Sequence, residues 1–107
     1  MTKHPNYTPW GHPDTWHVVA EGVAFVTTPS HGGYWLSDDR LAEIPNHWRL
    51  ARHYPSSDSP WFEEDCDWAL VALTFPELFP SEAAGPARRT FDAIHAPKIA
   101  KFKFATV

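Results

Sequence analysis

Two segments concentrate the residue types that do chemistry: TPSHGG at residues 28–33 and WFEEDCDWA at residues 61–69. A nucleophilic mechanism would take a thiolate at Cys66, a base at His31 within hydrogen-bond reach, and the backbone amides of Gly32 and Gly33 to hold an oxyanion. The carboxylates at 63, 64, 65 and 67 work against it, because negative charge raises a thiol pKa; a place near a helix start works the other way. A small buried thiol is the simpler expectation for Cys66. A metal shell is the second chemistry these residues allow, built from His31 with Glu63, Glu64, Asp65 or Asp67. The spacing matches neither the HExxH pattern nor a calcium loop, so no metal or cofactor is assigned. A purely structural role is also open: Asp65 and Asp67 capping backbone amides, with a carboxylate accepting a bond from the His31 imidazole. The other histidines are scattered. His4, His12, His47, His53 and His95 are expected to be surface or stacking groups, and His17 a packed or edge residue of a strand.

The run VAFV followed by SHG (residues 23–32) resembles the histidine motif of caspase-like cysteine proteases. Those enzymes place the cysteine after its own buried strand in a much larger α/β domain, whereas Cys66 follows Glu-Glu-Asp and precedes a helical pattern. A small hydrolase or metal-binding protein remains the alternative expectation, using His31 with Cys66 or Asp65, with His31 and Cys66 as the catalytic pair of the hydrolase.

Positioning such groups takes a folded scaffold, and composition supports one. The chain has 107 residues, 43% of them hydrophobic, with six tryptophans, three tyrosines and seven phenylalanines, enough to bury a single core. One cysteine excludes an intrachain disulfide and any zinc site built from several thiolates. No apolar run reaches the roughly 20 residues of a membrane span, and the amino-terminal MTKHPNYTPWGHPD lacks the apolar core of a secretion signal. A cytoplasmic protein without membrane contact is expected. Net charge is −4 but unevenly placed: seven acids and no Lys or Arg from Asp58 to Glu82, then five basic residues against one acid from Pro86 onward. An acidic surface repels phosphate backbones, so direct nucleic-acid binding is not expected.

Eleven prolines punctuate the chain and argue against long helices. Residues 1–14 read as an irregular proline-rich arm, with Trp10 folding back onto an α+β domain over 15–107. Within it, TWHVVAEGVAFVTT predicts two strands around Glu21-Gly22, and YWLS a third, giving a three-stranded antiparallel meander over about 15–37. Two or three short helices pack on it. Ser37 caps the first, with Leu41 and Ile44 on one face, and Pro45 ends it before a turn holding Trp48 and Leu50. PSSDSP is a loop. In CDWALVALTF, Trp68, Val71, Ala72 and Phe75 recur at helical spacing, marking the core helix. Ser81 caps a last helix that Pro97 stops, and the final ten residues are left open between an edge strand and disorder.

The stretches TPWG (8–11), FVTTPSHGGYWLS (25–37) and WFEEDCDWALVALTFPELF (61–79) resemble a family of small uncharacterised proteins, a domain of unknown function encoded on proteobacterial plasmids, integrative elements and phages. The tail after Glu82 departs from that pattern. The resemblance implies a counter-defence role, an anti-CRISPR-like factor that binds and blocks a host immunity protein. The residues suit a local contact: an acidic loop at 58–67 with aromatic anchors, comprising Trp61, Phe62, Glu63, Glu64, Asp65, Asp67 and Trp35, with Trp48 as a further surplus ring. A charge of −4 is too low for imitation of a whole duplex. A non-enzymatic inhibitor of a host defence or nucleic-acid-binding protein is thus the leading expectation, with oligomeric state open.

Overall fold

A computed structural model of the chain describes residues 7–53 and 58–105. His4 with the start of the arm, half of the PSSDSP loop (residues 55–57) and residues 106–107 lie outside the described residues.

The expected meander forms first: β1 (Thr15–Ala20), β2 (Val23–Thr27) and β3 (Gly32–Leu36), each antiparallel to the last. Gly22 turns the first hairpin at φ +79°, a left-handed conformation that side chains resist. The sheet then gains a fourth strand that the sequence pattern did not show. Trp61–Glu63 forms β4, pairing antiparallel with β3 through Gly33 with Glu63, Tyr34 with Phe62, and Trp35 with Trp61. Three residues are too few to display alternation. The pairing comes instead from the free edge of β3 and from Arg52, whose buried guanidinium donates to the carbonyls of Ser59 (2.6 Å) and Trp61 (2.9 Å). The same guanidinium lies 4.4 Å from the centre of the Phe62 ring.

The sheet has two differently covered faces. Helices pack on the first, where Val23, Leu36 and Phe62 meet Leu41, Ile44, Leu70, Val71, Phe75, Phe91 and Ile99 in one core. Helix α1 (Asp38–Ala42) starts as expected, with the Ser37 hydroxyl accepting from the Arg40 amide at 3.3 Å. A short α2 (Asn46–Arg49) follows Pro45, and its Trp48 ring sits 4.8 Å from Phe91 rather than standing free. Helix α3 (Trp68–Thr74) buries four consecutive residues, Ala69 to Ala72, so the core surrounds it on most sides. On the second face Trp16, Trp35 and Trp61 cover Ala24 and Val26.

The carboxy-terminal part corrects three expectations. Ser81 does not cap; its hydroxyl bonds the Glu82 carboxylate, and two 3₁₀ turns (Pro76–Leu78, Ser81–Ala83) lead into α4 (Ala84–Thr90). Pro97 does not stop the helix, and the tail up to Ala105 is helical rather than an edge strand. One π turn (Phe91–His95) joins α4 to α5 (Ala96–Ala105), making a continuous helical segment despite Pro86 and Pro97. The reason is local. In the π turn the Ala96 amide donates to the Phe91 carbonyl, five residues back, and the widened turn accommodates a proline ring that has no N–H to offer. Among the described residues, no helix is long and apolar enough to cross a membrane.

Candidate functional site

Pairing of β3 with β4 brings the two chemistry-bearing segments together. Beyond the paired residues, Glu64 donates its amide to the Gly32 carbonyl (3.0 Å), and the Gly32 amide donates to the Glu64 carboxylate (2.8 Å). An open cleft of about 310 Å³ results, lined by Trp10, His31, His53, Glu63, Asp65 and Cys66. The TPSH turn on one side is closed by Thr28, whose hydroxyl donates to the His31 carbonyl (2.6 Å) and accepts from the His31 amide (3.1 Å). Ser30 ties the turn to the arm through the Trp10 carbonyl (3.2 Å). Trp10 folds over Gly33, where a Cβ would lie 2.5 Å from the indole, so only glycine admits this packing.

The turn on the other side is organised by Glu63, not by the aspartates. Its carboxylate accepts from the amides of Asp65 (2.8 Å), Cys66 and Asp67 (2.8 Å), satisfying free donors ahead of α3. Asp67 stands at the N-cap position but makes no side-chain cap bond. Its buried carboxylate instead accepts from the His53 amide (3.0 Å) and meets His95 Nε2 at 2.9 Å. The expected bond from the His31 imidazole to a carboxylate does not form; His31 is exposed, and the neighbouring Gly32 amide takes the carboxylate.

Of the residues expected to carry function, His31, Glu63, Asp65 and Cys66 share the cleft. Glu64 is exposed beside it and Trp61 is half-buried against Trp10, their rings 5.6 Å apart edge to face. Phe62, Trp35 and Asp67 are buried, so their side chains serve the interior and present nothing to a partner. Burial and then the charges of Glu63, Asp67 and Asp65 push the Cys66 thiol pKa up, with Lys98 pulling weakly the other way. The cleft therefore holds a protonated thiol at neutral pH. Among the described residues no three His, Cys, Asp or Glu side chains are grouped to hold a metal ion.

His95 stacks on an aromatic ring, as one of its expected roles had it, but its burial was missed. It is fully buried, stacked on Phe91 and bonded to Asp67, and its Nδ1 has no hydrogen-bond partner. A signal existed: Ala87, Phe91, His95 and Ile99 are all buried and recur every four residues. An α-helix drifts by about 40° over four residues, and the wider π turn takes up that drift, keeping the stripe on one side. His53 lines the cleft with no sequence signal of its own.

A family model described as a domain of unknown function (DUF7007) matches residues 3–103. The chain belongs to the DUF7007 family. The match continues through the tail, so the expected departure after Glu82 is not a break in family membership. No curated protein and no solved structure matches this DUF7007 chain.

Proposed function

We propose that this DUF7007 protein is a non-enzymatic, cytoplasmic binding protein of mobile-element origin. In this proposal it blocks a host defence or other nucleic-acid-binding protein by seating a basic group in the cleft. The cleft itself carries the proposal: a half-buried indole, two imidazoles and acidic side chains surround a thiol kept in its neutral form. Such a lining favours recognition of a cation over covalent attack. The contact surface comprises Trp10, Trp61, Glu64 and Asp65; Glu63 shapes the turn from beneath.

The test is plating efficiency of a phage on cells carrying an immune system directed against it. Wild-type protein is expected to restore plating, and the Asp65→Lys variant to lose that effect while keeping a native circular dichroism spectrum and melting temperature. Equal activity of a folded variant, or no restoration across a panel of defence systems, overturns the proposal. One observation keeps a thiol hydrolase as the second possibility, the placement of His31 and Cys66 on one cleft. An inert Cys66 toward thiol reagents near neutral pH removes it.

A further inference from the structure

We infer that the tryptophan-covered face of the sheet binds an extended segment of a partner protein bearing arginine or lysine at alternate positions. The inference deepens the binding proposal above and rests on it.

Trp16, Val18, Ala24, Val26, Trp35 and Trp61 lie on one side of the sheet by strand register. Among the described residues this side is covered by indoles and the arm, while the helices pack on the other. Trp10, Trp61 and Trp16 run in a row with ring centres 5.6 and 6.1 Å apart, backed by the buried Trp35, whose ring lies 6.1 Å from that of Trp16. The three are half-buried, and Val18 beside them is 60% exposed. Trp10 also lines the cleft, so row and cleft form one surface.

Charge identifies the occupant. Residues 7–36 and 58–65, which build the arm and the sheet, contain Asp14, Glu21, Asp58, Glu63, Glu64 and Asp65 and no Lys or Arg. The cations of the described chain lie at residues 40–52 and 88–103, in the helices and in the segment that follows α2. An indole surface built by segments that carry acids and no Lys or Arg disfavours phosphates and acidic peptides, and attracts a guanidinium or ammonium group onto ring faces. An extended chain places same-side residues about 6.5 Å apart, close to the spacing of the indoles.

The probe is a capped Arg-Val-Arg-Val-Arg-Val peptide titrated into the full chain, followed by tryptophan emission and calorimetry. Saturable binding is expected, weakened at least about tenfold by raising NaCl to about 0.5 M, by Asp14→Lys/Asp65→Lys, and by Trp16→Leu, which keeps the face covered. The Glu-Val counterpart is expected not to bind. No saturable binding by the arginine peptide overturns the inference, as does affinity unchanged in both variants when each retains the wild-type melting temperature. Peptide binding without any rescue of phage plating upholds this surface and defeats the counter-defence role; rescue without peptide binding does the reverse.

Discussion

At the scale of single residues, Cys66 shows how a side chain suited to attack is withheld from it. Its thiol pKa is raised by partial burial and by three carboxylates brought in by the turn. The folded chain therefore holds the thiol proton more tightly than the unfolded chain does. The stability this contributes is complete below the ordinary thiol value of 9.0 and is lost as pH rises through the folded value. Reaction with a disulfide reagent as a function of pH is expected to show its midpoint above 9.0 in native protein, and above that of the urea-unfolded chain. A native midpoint below the unfolded one would return Cys66 to the nucleophilic role. The Arg52 guanidinium shows the opposite shift: burial lowers its pKa to about 10, leaving it charged at neutral pH and able to hold the carbonyls of the β4 segment.

At the scale of elements, Asp67 is the junction. It joins the segment after α2, the start of α3 and the π turn, which are far apart in sequence, through the His53 amide and His95 Nε2. Asp67→Ala leaves the buried His95 Nε2 and the partly buried His53 amide without their acceptor, and a loss of about 3 kcal/mol is expected. Urea denaturation measures it as a lower midpoint at unchanged slope. A loss below about 1 kcal/mol would mean that these elements are held by apolar packing alone. The preference of aspartate for N-cap positions was legible in the sequence, but its outcome was not. Glu63 reaches the free amides from β4, which releases Asp67 for the buried histidine.

At the scale of the whole molecule, the arm completes the surface. Trp10 packs on Trp61, fits over Gly33, and accepts hydrogen bonds at its carbonyl from Thr28 and Ser30. Trp10→Ala keeps the backbone bonds and removes the ring; being half-buried, that ring is expected to contribute about 2 kcal/mol, less than a fully buried tryptophan. Thermal unfolding should then fall by about 8 °C, and an unchanged melting temperature would mean that the arm does not brace the sheet.

By itself the sequence determined the α+β class, the first hairpin and its glycine, the capped start of α1 and the position of the core helix. These follow from spacing and turn chemistry between near neighbours, which a linear pattern records. Only the tertiary structure decided the fourth strand, the helix running through Pro97 and the burial of His95 against Asp67. It also decided the meeting of His31 with Cys66 across β3 and β4. Each depends on a partner distant in the chain, and so on a geometry that exists only once the sheet and helices have packed.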